Sequence, residues 1–584
     1  MSSSSSAQPI VLPDVFTESR IAALQGEFAS ATPYRHGVIR PLCDEQRLRV
    51  AHGELLALEA TYKETDLFKL HQTADFANMT GAEAAARVPT LLALRDALYS
   101  GEMRALIERV TQCGALSDRV DCAANVYMRG SHLLAHDDVI GTRRVSYIVY
   151  LSEPDCEWTS DDGGALELYA LDSPGTPAAS PAKTLLPHWN SLALFVVEPG
   201  VSFHSVQEVF SPDKWRISIQ GWYHAAAPPA DAHLASIRQL TATASELAHA
   251  HKPPFAPLAF ARDAADGDAD AFEPMDLAPA DLVELAAWVN PTYLDEAGID
   301  AILEKVSESG SVQLHNFLLP ERHSKLLQAL RAVDWLDEVG GRDAPAPYDA
   351  GVKAPWQLIG PPHLRRLLQV DDAQLAAAAA KRAGSPYERA AVALDQVRRF
   401  LLSPALARLL FALCGRAATA ARAQIRRFRP SLDYTVAHYG DINRSTLLLA
   451  TLCLCDETAD EAQHEEQGGA SIWRTGDVGG FECFIVADED GEQAAASAEV
   501  YRPNMVDEDP GLLSVSAASN SLNLILYGEG LMHFVKYVSA AAPGSRWDIA
   551  CEFTLDDDDD DDEDDDRDDN DDKSPEQAVK RARK

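Results

Sequence analysis

The chain has 584 residues, 46% hydrophobic and 24% charged, with 33 Gly and 33 Pro. That apolar content suffices for packed cores and excludes global disorder, and the length suggests three to four domains, or two large ones. Ninety acidic against 51 basic side chains give −39; residues 556–584 hold 16 acids and six bases, so the rest still carries −29, which argues against nucleic-acid binding.

Residues 1–9 lack the basic start and apolar core of a signal peptide. The longest strongly apolar run, Leu447–Cys455, is too short to cross a bilayer. Nine scattered cysteines without a CxxC pair read as reduced thiols. A soluble cytosolic or nuclear protein is expected, with no membrane partner. Helical spacing marks 18–30 and 91–111. Strands are expected at 125–129, 144–151, 165–170, 191–197 and 215–223, rich in β-branched, aromatic or Leu residues and separated by Gly, Pro, Asp and Ser. A Pro-, Ala- and acid-rich stretch over 226–280 reads as a linker with a helix-like piece at 231–251. Helices follow at 279–289, 298–308, 320–338 and 386–414, then strands at 434–438, 445–454, 480–487, 520–527 and 546–554. From Asp556 to Asp572 the chain is almost pure carboxylate, a solvated polyanion. It closes on Lys580-Arg581-Ala582-Arg583-Lys584, which reads as a nuclear import signal. The expected domains are therefore 1–225 and 281–555, joined by the linker and followed by a disordered tail, 556–584.

The two halves repeat. Asn190-Ser191-Leu192-Ala193-Leu194 leads into Phe203-His204-Ser205-Val206 and then Arg216; Asn520-Ser521-Leu522-Asn523-Leu524 leads into Met532-His533-Phe534-Val535 and then Arg546. Gly163-Gly164 is echoed by Gly479-Gly480. This predicts an α+β chain with two copies of one β-barrel module, each with a helical lead-in.

The residues with chemical promise lie in the first copy. His136 and Asp138, at i and i+2, would share one face of a strand. With His204 they supply two imidazoles and a carboxylate, the facial set that suits non-haem Fe(II) and leaves three positions open. Arg216, twelve residues on, sits on a strand that alternates Arg216, Ser218, Gln220 and Trp222 to one side. Its planar fork matches a carboxylate, so a dicarboxylate could chelate iron at one end and meet Arg216 at the other. Tyr127 and Tyr150 could add hydroxyl donors. In the second copy His533 and Arg546 recur, but His438-Tyr439-Gly440-Asp441 spaces its His and Asp so that on a strand they face opposite ways. That copy is expected to keep the fold without iron.

The run His136-Asp137-Asp138-Val139-Ile140-Gly141-Thr142-Arg143-Arg144, with Ser146-Tyr147-Ile148-Val149-Tyr150-Leu151, Phe203-His204-Ser205-Val206 and Arg216-Ile217-Ser218-Ile219-Gln220-Gly221-Trp222, resembles the eukaryotic ribosomal prolyl hydroxylases. Asp66-Leu67-Phe68-Lys69 and Asn290-Pro291 extend the likeness across nearly the whole chain outside the tail. The resemblance implies two double-stranded β-helix (jelly-roll) domains, the first catalytic. It implies Fe(II) on His136, Asp138 and His204, 2-oxoglutarate on Arg216, Tyr150 and Tyr127, O2 as oxidant, and support by L-ascorbate. It implies hydroxylation at C3, and in some members also C4, of a proline in a small-subunit ribosomal protein near the decoding centre, with succinate and CO2 released. A nuclear and cytoplasmic location and regulatory protein partners go with that reading. The residues alone leave open a 2-oxoglutarate oxygenase of another substrate, or an acidic binding scaffold.

Overall fold

The computed structural model describes residues 9–226, 251–258, 277–341, 346–381, 384–437, 445–457, 471–486 and 512–556. Two curled antiparallel sheets form two jelly rolls, each backed by helices. The first sheet runs in the order His36–Ile39, Ser191–Val196, Arg143–Tyr150, Arg216–His224, Cys122–Tyr127, Phe68–Thr73, His132–His136, His204–Val206, Leu166–Leu168, Lys183–Leu185.

Period-two alternation builds this barrel. Val145, Tyr147 and Val149, Leu192, Leu194 and Val196, and Ile217, Ile219 and Tyr223 face outward into one core, packed on helices Glu18–Ser30, Glu45–Leu56, Pro89–Leu98 and Gly101–Thr111. The residues between them turn inward: Ile148, Tyr150, Ala193 and Phe195 meet Leu166 and Leu168. The helix expected over 91–111 is two. Ser100 interrupts it and caps the second, accepting from Met103 N at 3.1 Å. The span 386–414 breaks in the same way into Pro386–Leu401 and Pro404–Cys414, with Ser403 as N-cap and Pro404 at the first helical position.

The second sheet orders Ser311–Leu314, Ser521–Tyr527, Leu447–Leu454, Arg546–Leu555, Ala418–Phe428, Arg365–Val370 and Trp356–Ile359, and a separate sheet orders Leu512–Val515, Glu482–Val486 and Leu531–Val535. This is the first barrel's order repeated. Asn190 and Asn520 each take positive φ (57° and 54°) just before equivalent strands. Each side chain closes on a backbone neighbour, Cys43 for Asn190 and Leu318 for Asn520. Asparagine tolerates the left-handed region and can hydrogen-bond locally there.

Strands Phe68–Thr73, His132–His136, Arg365–Val370 and Ala418–Phe428 carried no clear sequence signal. Their apolar residues are few or adjacent, as in Leu133-Leu134 and Leu367-Leu368, so no clean hydrophobic alternation stands out. In the linker, His251–Leu258 is described: Ala256 and Pro257 pair with Ala421 and Ala420 at the edge of the second sheet. The helix-like piece at 231–251 otherwise lies outside the described residues, as do 557–584 and the cluster 580–584.

The two barrels meet across a buried polar seam. Glu208 of the first accepts from Tyr537 Oη (3.1 Å), Ala540 N (2.9 Å) and Ser539 Oγ of the second. Ala437 N donates to Asp66 Oδ2 at 3.2 Å, and Lys69 Nζ to Asp477 O at 3.2 Å.

Candidate active site

His136, Asp138 and His204 converge inside the first barrel, with ligand atoms all within 4.8 Å of one another. Among the described residues no other His, Cys, Asp or Glu group gathers in this way. His136 Nε2 is 3.3 Å from Asp138 Oδ1 and His204 Nε2 is 3.4 Å from Asp138 Oδ2.

The means of convergence differs from the expected shared strand face. The strand ends at His136, and Asp138 stands beyond it with φ 63°, a left-handed conformation costly for a non-glycine residue. His136 itself is aimed by a β-bulge: His204 pairs with His136 and Val206 with Leu133, so between the two pairs one residue opposes two. The extra residue puts Leu133 and His136 on one face, although odd spacing would separate them.

Backbone carbonyls fix both rings. His136 Nδ1 donates to Leu134 O at 2.8 Å and His204 Nδ1 to Ser202 O at 2.9 Å. With Nδ1 committed to a carbonyl, each ring turns its Nε2 toward the common point, the nitrogen left for a metal. Trp222 Nε1 donates to Asp138 Oδ2 at 3.0 Å. Burial works to raise the Asp138 carboxyl, but His204 and His136 hold it well below the usual carboxylate range.

Arg216 lies 1% exposed beside the triad. Its Nε donates to Gly164 O at 2.7 Å and Nη1 to Ser218 Oγ at 3.3 Å, while Nη2 is buried without a hydrogen-bond partner. The guanidinium sits 4.7 Å from the Tyr127 ring and 5.2 Å from the Tyr150 ring. Both phenol hydroxyls are also buried without a partner. Burial pushes the Tyr127 hydroxyl up to about 12 and raises that of Tyr150, so both stay protonated donors. Three buried donors left unsatisfied around a cation would each cost of order 1–3 kcal/mol. A carboxylate satisfies them together, and a metal chelated by the same anion satisfies the triad. The donor set fits Fe(II) with a 2-oxo dicarboxylate.

Gly164 is required by this approach, since a Cβ there would lie 3.0 Å from Arg216 Cδ, at φ 66°. Sequence reasoning placed Trp222 on the inward side but did not find its bond to Asp138, and it missed the bulge; neither leaves a linear signature.

The second barrel carries the matching positions altered. Strand register places Phe428 where the first has Tyr127, Cys453 where it has Tyr150, Asp548 where it has Ser218 and Glu482 where it has Leu166. Arg546, the counterpart of Arg216, is engaged by Glu482 and, at 2.5 Å, by Asp548. The anion is built into the chain there, and both hydroxyls are gone. His533 Nε2 faces Glu482 Oε2 at 3.4 Å. His438 and Asp441 lie outside the described residues.

A family model described as "2OG-Fe(II) oxygenase superfamily" matches residues 122–224, and one described as "Oxoglutarate and iron-dependent oxygenase degradation C-term" matches 280–562. The chain is 37% identical over 525 residues to a prolyl 3,4-dihydroxylase OGFOD1 of Ostreococcus tauri, covering 89% of this chain and 95% of that relative. To a prolyl 3-hydroxylase OGFOD1 of Xenopus laevis it is 31% identical over 313 residues, 52% of each. A crystal structure of a Pseudomonas putida prolyl-4-hydroxylase aligns with 35% of this chain and all of that one, at 21% identity and TM-score 0.27.

Proposed function

The chain belongs to the prolyl 3,4-dihydroxylase OGFOD1 family of 2OG-Fe(II) oxygenases, and on that premise we propose that it hydroxylates a proline of a small-subunit ribosomal protein near the decoding centre, at both C3 and C4. The observation that carries the reading is the meeting, in one barrel, of the His136–Asp138–His204 triad with the unpartnered donors of Arg216, Tyr127 and Tyr150.

In this reading the two Nε2 atoms and Asp138 would hold Fe(II). Arg216 Nη2 and the Tyr127 and Tyr150 hydroxyls hold the distal carboxylate of 2-oxoglutarate. When bound, iron with 2-oxoglutarate and O2 supplies the oxidising power that replaces a ring C–H by C–OH while 2-oxoglutarate becomes succinate and CO2. The chain's own part is to orient and to exclude water. Ile148, Phe195, Leu166 and Leu168 form an apolar cluster on the inward side of the barrel, and Trp222 fixes Asp138. L-Ascorbate would serve by keeping the metal ferrous.

The ribosomal substrate is supported by the family resemblance and by charge: a chain of −39 suits a strongly basic partner. A double hydroxylation is supported by the relative matched over 95% of its length, a 3,4-dihydroxylase. The cluster 580–584 supports a nuclear as well as cytoplasmic location. Intact-mass analysis of proline-containing ribosomal peptides after incubation with enzyme, Fe(II) and 2-oxoglutarate tests it. The expected product gains two oxygen atoms on one proline. Succinate formation with unmodified ribosomal peptides would reject this substrate.

A further inference from the structure

The strands that bear the two histidines show one side to the triad and the other to the second barrel. Strand His204–Val206 turns His204 inward and Ser205 outward. In register with Ser205 on the neighbouring strand lies Glu167, between the inward Leu166 and Leu168. Glu167 is 3% exposed. It accepts from Ser205 Oγ at 2.6 Å, from Tyr169 Oη at 3.3 Å, and from Tyr348 Oη, which belongs to the second half of the chain. The Arg366 guanidinium covers the Tyr348 ring at 4.7 Å and donates to Tyr169 Oη at 3.2 Å. On the other ligand strand, the His132 ring lies tilted against Tyr537 with centroids 4.2 Å apart, and Leu134 packs with Tyr434, Val436 and Tyr537.

The lead-in helices back the opposite half of the barrel, through the core that includes Val149, Leu194 and Ile219. Behind the histidine-bearing half the backing layer is the second barrel. A strand of three residues has little rigidity of its own, and the carbonyl that sets the His204 tautomer, Ser202 O, lies just ahead of it. The hydrogen bonds that hold Ser205 therefore also hold the ring of His204.

We infer that Tyr348 and Arg366 are positioning residues for the metal site: through Glu167 and Ser205 they fix the strand that presents His204, so that the second barrel completes the site of the first. This rests on the iron-binding reading of the triad. Tyr348→Phe removes one donor to Glu167 and leaves the ring under Arg366.

The test is an anaerobic Fe(II) titration of the full chain, followed by the visible charge-transfer absorption when 2-oxoglutarate is added. Tyr348→Phe is expected to weaken Fe(II) binding about fivefold, the worth of one net hydrogen bond, and to shift the absorption band. Glu167→Gln, which keeps the shape and one acceptor oxygen, should give a smaller change in the same direction. Tyr293→Phe, whose hydroxyl donates to His315 O within the second half, should change neither. Should Tyr348→Phe fold poorly, Glu167→Gln alone decides. Wild-type affinity and an unshifted band in the variants, even with a lower melting temperature, would overturn the proposal and leave these residues purely structural. A wild-type chain that binds no iron would overturn the functional reading itself.

Discussion

Trp222 Nε1 donates to Asp138 Oδ2 over 3.0 Å, and the Arg143 guanidinium lies 3.5 Å from the same indole ring. The aspartate stands at φ 63° beyond its strand. The indole holds it, and the stacked Arg143 holds the indole.

Trp222→Phe keeps an aromatic face for Arg143 and loses only the donor. Partners that orient a metal-binding carboxylate are typically worth 10–100-fold in metal affinity or activity. The expected result is a loss of about tenfold in Fe(II) affinity with the fold intact, read by anaerobic titration beside circular dichroism. Unchanged affinity would show that the backbone alone sets Asp138.

Arg216→Lys keeps a charge and removes the fork. Losing the buried, charge-assisted hydrogen bond from Nη2 should cost about 1.5–3 kcal/mol, or roughly ten- to a hundredfold in apparent 2-oxoglutarate affinity. A saturation curve for succinate formation measures it. Tyr127→Phe and Tyr150→Phe each remove one unpartnered hydroxyl and should raise the apparent KM less, with wild-type melting temperatures.

One iron per chain is expected. In the second barrel Arg546, the counterpart of Arg216, is already met by Glu482 and Asp548 and so is not open to a dicarboxylate. Metal analysis of the His136→Ala/Asp138→Ala double variant, reconstituted anaerobically, should find no iron and no 2-oxoglutarate turnover. Stoichiometric iron in that variant would place a second centre at His438, Asp441 or His533.

Acid should loosen the second barrel through Glu482. Burial works to raise its carboxyl, but Arg546 and His533 bring it down to about 2. A depressed carboxyl contributes stability that is complete above the unfolded value near 4.5 and lost as pH falls toward 2. The shift corresponds to roughly 3 kcal/mol. Urea midpoints measured between pH 7 and 2.5 should fall for the wild type. Glu482→Gln should start lower at pH 7 and show a flatter profile; equal slopes would locate the acid sensitivity elsewhere.

Much of the architecture was legible in linear order because it rests on local rules. Alternation in Arg143–Tyr150, Ser191–Val196 and Arg216–His224 marks strands between a helix layer and a barrel interior, and the repeated Asn-Ser-Leu marks the same left-handed entry twice. Strands without clean alternation were invisible. Arg365–Val370 is a strand through its pairing with Trp356–Ile359 on one side and Ala418–Phe428 on the other, contacts that linear order does not show.

The sequence by itself determined which atoms could do chemistry: two imidazoles, one carboxylate and one guanidinium at spacings that suit a barrel. How they meet was decided by tertiary structure. A bulge re-aims His136, a left-handed residue swings Asp138 off the strand, and an indole 84 residues away fixes the carboxylate oxygen. The difference between the two barrels was likewise decided in three dimensions. Arg546 looks like Arg216 in sequence, and only strand register brings Glu482 and Asp548 to it in place of a leucine and a serine. Period and spacing are properties of a single chain segment. The identity of a buried group's partner depends on contacts between strands far apart in sequence, and in a buried site the partner decides whether a charge is free to bind a ligand.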